Sequence, residues 1–461
     1  MTKLDVVLDR IDADLDASVA RWFDLLRVPS ISTDPAYATD CVRAADWLVS
    51  QLTDMGFEAS RRDTPGHPMV IARNHAAGDD APHVLFYGHY DVQPVDPVEL
   101  WETPPFEPEI RVVNGVRQVF ARGAADDKGQ LLTFLEACRA FMSEHGQLPL
   151  RITMLFEGEE ESGSPSLDAF LKANAGELRA DFALVCDTNM YDAATPAIDT
   201  MLRGMVYEEV VVTAARRDLH SGLYGGAAQN PIRVLSKILA GLHDDDGRIT
   251  LPGFYDGVSE LAPDIAASWD ALNFDADAFL GAVGLSQPAG ESGYPALQQI
   301  WSRPSCDVNG IIGGYTGAGA KTVIASKASA KVSFRLVGEQ DPKAIQAAFR
   351  AYVKSRLPVD CSVEFTGYGN DRAFSLARDM PEIVKAQQAL TDEWPKQAVL
   401  MGMGGSIPIV GEFKRVLDMD TLLIGFGLDD DSIHSPNEKY NLTSFHKGIR
   451  SWARVMEALA K

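Results

Sequence analysis

VLFYGHYDVQP (residues 84–94) is an apolar run that ends abruptly in a histidine, one spacer and an aspartate. Successive side chains of a strand point to opposite faces, so a strand here puts His89 and Asp91 on one side and Tyr90 on the other. Alone, the pair is open to three readings: a metal ligand with an outer carboxylate, a His–Asp relay, or an ordinary strand end. The fold is decided by what surrounds it. Residues 69–72, 151–158 and 181–186 read as further short apolar strands. Helical periodicity covers residues 4–26, 41–55 and 167–173, and another helix starts at Asp127 and runs through LLTFLEACRAFM. Helices alternating with buried strands predict an α/β sandwich around a mixed, mostly parallel sheet.

From about Met205 the texture changes. MVYEEVVVTA, KVSFRLV and CSVEFTGY look like half-buried strands, and they flank the helices NPIRVLSKILAGL and DPKAIQAAFRAYVKSRL. Such strand–helix units, with one sheet face solvated, suggest a smaller α+β domain. After about Arg378 the first texture returns, with a helix at MPEIVKAQQAL, the strand TLLIGFG and a final helix from Thr443. The expected division is residues 1–204 and 379–461 for the first domain, with residues 205–378 inserted.

The chain has 461 residues, 46% of them hydrophobic and 23% charged, as in globular proteins. Aspartate and glutamate outnumber lysine and arginine by 65 to 42, giving a formal charge of -23. That surface repels polyanions, so neither nucleic acid nor an anionic membrane is an expected partner. The acidic, amphipathic start lacks the pattern of a signal peptide, and no apolar run is long enough to span a membrane. The five cysteines are scattered without a CxxC, which fits free thiols in a reducing cytoplasm.

Four more polar clusters lie where strands end or helices begin: ARGAADDKGQ (121–130), FEGEEESGS (156–164), Asp187 after DFALVC, and LDDDSIHSPNEK (428–439). Each has a bland reading as a helix cap or a solvated acidic loop. Together they say more, because sites in open α/β sheets form beyond the carboxyl ends of the strands. Two histidines with several carboxylates and no cysteine suit Zn²⁺, Mn²⁺ or Co²⁺. Crowded carboxylates repel one another without cations among them, and one more than a single ion needs suggests two ions sharing a bridge.

GHYDVQP, WETPPF (101–106), ARGAADDKG, EGEEESGS, Asp187, DLHSGLYGG and HSPNEK follow one another over nearly the whole chain. This series resembles the co-catalytic zinc metallopeptidase family of cytosolic nonspecific dipeptidase, carnosinase, carboxypeptidase G and succinyl-diaminopimelate desuccinylase. The resemblance implies two metal ions, one held by His89 and Asp187, the other by Glu161 and His434, with Asp126 as the bridge. It implies that Asp91 orients the His89 ring, that Glu160 is the general base, and that the Asp126–Asp127 bond is cis. Glu159 makes a triple glutamate, and spacing alone does not separate base from ligand.

The inserted domain resembles the family's lid and dimerisation domain. His220 then stabilises the oxyanion in the partner's site of a homodimer, and Thr322, Arg335, Gly405 and Ser406 contact the substrate, Arg335 as a bidentate donor to a carboxylate. Some dipeptidases carry a histidine after the lid; here only Arg372 in GNDRAF stands near that point. GGYTGAGAKT (313–322) is not a phosphate-binding loop, since Ala320 separates Gly319 from Lys321. The expected activity is hydrolysis of dipeptides, with an N-acyl-amino-acid deacylase or carboxypeptidase of the same fold as the alternative. Asp rather than Glu at position 187 resembles the aminopeptidase and dipeptidase members. A metal-free scaffold derived from such an enzyme would have lost a ligand or the base, and none is missing.

Overall fold

The computed structural model describes residues 3–461. The chain divides into two compact units. The first comprises the chain up to Thr200 with Leu376–Met401 and Glu412–Lys461, and the second Met201–Ser375 with Gly402–Gly411. This differs from the division read in the sequence in one main respect: Gly402–Gly411 belongs to the second unit. The physical reason is close packing at glycines. A Cβ at Gly402 would lie 3.0 Å from Trp301 Cβ, and one at Gly404 3.1 Å from both Arg203 Nη2 and Ile300 Cγ2.

In the first unit the strand His83–His89 is buried from Val84 onward. It therefore takes a central place, parallel to Arg151–Glu157 on one side and Phe182–Val185 on the other. Thr421–Leu423 continues the parallel core beside Phe182–Val185. The flanks are antiparallel: Met69–Asn74 pairs Arg151–Glu157, Glu58–Arg62 pairs Met69–Asn74, and Leu423 faces Asp199. Parallel strands covered on both faces read as continuous apolar runs, which is why these were visible in sequence.

The helix Lys128–His145 packs on the sheet and against the helices Leu442–Leu459 and Lys3–Ala13. Phe134 stacks on Phe86 at 3.9 Å and meets Trp452 edge-on at 5.2 Å. The helical stretch expected over residues 4–26 is two helices, Lys3–Ala13 and Leu15–Leu26, parted at Asp14.

A three-stranded sheet of Glu109–Val113, Val116–Phe120 and Lys439–Asn441 was not anticipated. Its hairpin turns at Asn114–Gly115, both with positive φ, the Asn-Gly pair that such two-residue turns favour. Pairing of Tyr440 with Val119 ties the segment after His434 to the strand that leads into Ala121–Asp127. No helix among the described residues is long and apolar enough to cross a membrane.

The second unit is a four-stranded antiparallel sheet in the order Ser305–Gly313, Lys327–Leu336, Gly204–Thr213, Ser362–Asp371. Along Gly204–Thr213 and Lys327–Leu336 every second residue is buried, the period-2 pattern of a sheet with one packed face. Val206, Val210, Val332 and Phe334 meet Leu235, Ile238 and Phe349 of the helices Pro231–Ala240 and Pro342–Ser355 in one core.

Candidate active site

Three parallel strands deliver their ends to one edge of the sheet in the first unit. His89 closes His83–His89, Glu161 lies in the short turn Glu160–Ser162 after Arg151–Glu157, and Asp187 follows Phe182–Val185 by two residues. Asp126 stands just ahead of the helix Lys128–His145, and the Asp126–Asp127 bond is cis. His434 comes from the loop before Lys439–Asn441. It has φ +58°, and Ser432 and Asn437 are also left-handed, a conformation that persists only where the surroundings over-determine it.

These side chains converge as two groups with one shared member. Ligand atoms of His89, Asp126 and Asp187 lie within 4.8 Å of one another, as do those of Asp126, Glu161 and His434. Asp126 Oδ1 is 3.1 Å from His89 Nε2, and its Oδ2 is 3.0 Å from His434 Nε2. Asp187 Oδ2 lies 3.9 Å from His89 Nε2 and Glu161 Oε2 3.3 Å from His434 Nε2. Zinc–ligand bonds of about 2.0–2.2 Å set ligand atoms on one ion at separations of this size. Each group offers imidazole nitrogen and carboxylate oxygen without thiolate, a donor set that fits a borderline divalent cation.

The electrostatics point the same way. Burial and the nearby Asp126 carboxylate push Asp187 up to about 7. Burial, with Asp187, Glu161 and Asp126 close by, pushes Glu160 up to about 8. His434, donating hydrogen bonds to the Asp126 and Glu161 carboxylates, is raised to about 10. Burial works against the Asp126 carboxylate, yet contacts with His434 and His89 outweigh it and hold its pKa below the ordinary value. A cluster this rich in carboxylates asks for positive charge at its centre.

The triple glutamate separates cleanly in space. The Glu159 carboxylate is buried and accepts backbone N–H groups of His67 at 2.8 Å and Ser166 at 3.0 Å. Glu161 turns to His434 and accepts from Gln93 Nε2 at 2.7 Å. Among the described residues the Glu160 carboxylate takes no hydrogen bond, and it is left half-buried beside both groups.

Asp91 differs from its expected role in detail. Its carboxylate is 3.5 Å from His89 Nδ1, too long for a good hydrogen bond. The nearer acceptor at Nδ1 is its main-chain carbonyl, at 3.1 Å. Its Oδ2 accepts the Glu161 N–H at 3.0 Å. Asp91 thus orients one candidate ligand through its backbone and steadies another through its side chain.

Two residues assigned no role in the site from the sequence hold this arrangement. Glu438 is fully buried and accepts the N–H groups of Gly123, Ala125 and Asp126 at 2.9, 2.9 and 3.1 Å, with Arg122 Nη1 at 2.7 Å. It binds the Asp126 loop to the His434 loop. Asp127 Oδ2 accepts the His89 N–H at 3.0 Å. Glu438 lies inside HSPNEK, where an acid four residues after a ligand histidine was the available signal.

The remaining predicted residues lie in the second unit. His220 and Thr322 come together: Leu219–His220 pairs with Val323–Ile324, and Ser221 N–H donates to the Thr322 carbonyl at 3.0 Å. His220 Nδ1 accepts the Gly222 N–H at 3.0 Å, so the neutral ring carries its proton on Nε2. Arg335 Nη1 donates to Ser406 Oγ at 3.1 Å, and the Gly405 carbonyl accepts from Arg203 N–H at 3.1 Å. Arg372 is exposed and pairs with Asp341 at 3.5 Å.

Residues 85–458 match the family described as Peptidase family M20/M25/M40. The chain belongs to this family. A peptidase of this family is what the motif series led one to expect, and membership makes the chain an enzyme that cleaves peptide bonds. It is 30% identical over 481 residues to a Cys-Gly metallodipeptidase (dug1) of Schizosaccharomyces pombe, covering 99% of this chain and 98% of the relative. Its fold is similar to the dipeptidase Dug1p of Saccharomyces cerevisiae, with a TM-score of 0.84, 27% identity and coverage of 99% and 98%. It is equally similar to an M20 family metallo-carboxypeptidase of Sulfolobus solfataricus, with a TM-score of 0.84, 27% identity and coverage of 96% and 99%.

Proposed function

We propose that this M20-family peptidase is a dipeptidase of the cytoplasm that works with two divalent cations, zinc being the best suited and manganese or cobalt alternatives. The observation that carries the reading is Asp126 shared between two ligand groups beside a free Glu160. His89 and Asp187 hold one ion, Glu161 and His434 the other. When bound, such a pair supplies Lewis acidity that polarises the scissile carbonyl and acidifies water. Glu160 takes the proton of the attacking water and returns it to the leaving amine; a carboxylate held near neutral pH by its surroundings suits both transfers. Arg335, Ser406, Thr322 and Gly405 receive the dipeptide's terminal carboxylate. The relatives named as dipeptidases support this substrate class.

The cytoplasmic assignment is supported by five free cysteines, four of them buried. A homodimer is supported by the strand Ser305–Gly313, an outer strand of its sheet that exposes Val308, Ile311 and Ile312. Unpaired strand edges with apolar side chains invite a partner. In that dimer His220 acts across the interface, its Nε2–H donating to the developing oxyanion. His220→Ala is then expected to lower kcat about 100-fold or more with metal content unchanged. Mixing it with Glu160→Gln and exchanging subunits should restore part of the turnover. Absence of recovery would place His220 in its own subunit's site.

A second reading, a carboxypeptidase or N-acyl-amino-acid deacylase, is favoured by the likeness to the Sulfolobus enzyme. The test is hydrolysis of one dipeptide and its N-acetylated form, before and after chelation. Rapid cleavage of the free dipeptide alone, abolished by chelation and restored by metal, is the expected result. Preference for the acetylated form would favour the second reading.

A further inference from the structure

Arg335 does not stand alone. Arg203 is also half-buried, and burial, with the charge of Arg335 nearby, pushes its guanidinium down to about 10. Among the described residues neither forms an ion pair; Asp307 is the anionic neighbour of both. The hydrogen bonds of Arg203 go instead to one turn and its support. Its N–H donates to the Gly405 carbonyl at 3.1 Å and its Nε to the Gly404 carbonyl at 2.8 Å. Its Nη1 reaches Ser305 Oγ at 3.4 Å and the Arg303 carbonyl at 3.5 Å.

Arg303 is itself fixed, buried with Glu291 through Nε at 2.8 Å and Nη2 at 2.7 Å. Gly404 is tightly enclosed, since a Cβ would come 3.1 Å from both Arg203 Nη2 and Ile300 Cγ2. The residue after this clamped pair of carbonyls is Ser406, whose Oγ accepts from Arg335 Nη1. A chain of contacts thus runs from a fixed buried ion pair through Arg203 and the glycine turn to the orientation of Arg335.

We propose that Arg203 is a positioning residue that sets the enzyme's preference for substrates with a free C-terminal carboxylate. It clamps the Gly404–Gly405 carbonyls so that Ser406 holds the Arg335 fork in one orientation. Its charge, held beside Arg335 without a direct ion pair, adds to the attraction for an anion, and a preorganised fork keeps more of the energy of a bidentate contact. This rests on the assignment of Arg335 to the substrate carboxylate. A lysine at 203 keeps the charge but not the planar, multiply directed donors.

The test compares one dipeptide with its C-terminal amide, on metal-loaded enzyme, for Arg203→Met, Arg203→Lys, Ser406→Ala and Arg335→Met. With Arg203→Met, kcat/KM for the free acid is expected to fall about tenfold or more, the scale of a lost charge-assisted contact. The fall should come through KM, while the amide changes little and metal content is unaltered. Arg203→Lys should recover only part of the acid preference, and Ser406→Ala should lose part of it. Adding Arg203→Lys to Arg335→Met should cost the acid nothing further, because both act through one contact.

Equal losses on acid and amide, or none, in the Arg203 and Ser406 variants would overturn the proposal. If Arg203→Met fails to fold, the lysine and Ser406 variants decide it alone. If Arg335→Met itself keeps the acid preference, the carboxylate assignment falls and this inference with it. If Arg335→Met loses that preference and the Arg203 variants retain it, only the role of Arg203 is refuted.

Discussion

Asp126→Asn is expected to bind neither cation firmly and to lose at least about a thousandfold in kcat/KM, the largest effect of any single substitution here. Asparagine keeps the size and shape of the side chain, so the loss reports charge rather than packing. Asp126 faces His89 with one oxygen at 3.1 Å and His434 with the other at 3.0 Å, and it belongs to both ligand groups. An amide leaves one oxygen, no negative charge, and an NH₂ group turned toward a ligand nitrogen. Losing a ligand common to both ions damages both, whereas loss of Asp187 damages one group directly. Elemental analysis after gel filtration, beside steady-state kinetics, checks this. Wild-type metal content and activity within tenfold would refute the shared ligand.

Glu160→Gln should separate chemistry from metal binding. Glu160 is absent from both ligand groups, so metal content should equal that of the wild type. Its carboxylate, pushed up to about 8 mainly by burial and, against the lowering effect of His89, by the charges of Asp187, Glu161 and Asp126, is the group placed to carry a proton. Glutamine preserves the volume and removes the base. General acid–base contributions of about 10²–10⁴ set the expected fall in kcat, with little change in KM. A variant that keeps most of its turnover, or that loses metal with its activity, would move the base elsewhere.

How far the sequence reached depends on what each feature rests on. The central strands were legible because strands buried on both faces are continuously apolar, and their polar tips then marked the site edge. His89, Glu161 and Asp187 sit where that rule places strand-end residues. The hairpin Glu109–Val113 and Val116–Phe120 is largely exposed and carries no such run; Asn114–Gly115 was its one local signal.

Long-range pairings were the harder part. Three glutamates in a row look alike in sequence, and what separates them is two backbone N–H groups, one of them more than ninety residues distant, that occupy Glu159. Glu438 reads as a loop acid until the Lys439–Asn441 pairing brings it to the amides of Gly123, Ala125 and Asp126. The Gly402–Gly411 segment reads as part of the returning domain, because the contacts that draw it into the second unit come from Arg203, Ile300 and Trp301. Local pattern therefore revealed the strands and their tips, while the groups that lock those tips in place needed the fold.

The most direct measurement is anomalous scattering at the zinc absorption edge from crystals of the zinc-loaded enzyme. Two neighbouring peaks are expected, one among His89, Asp126 and Asp187 and the other among Asp126, Glu161 and His434. A single peak, or peaks that leave Asp126 outside the coordination of either ion, would contradict the account.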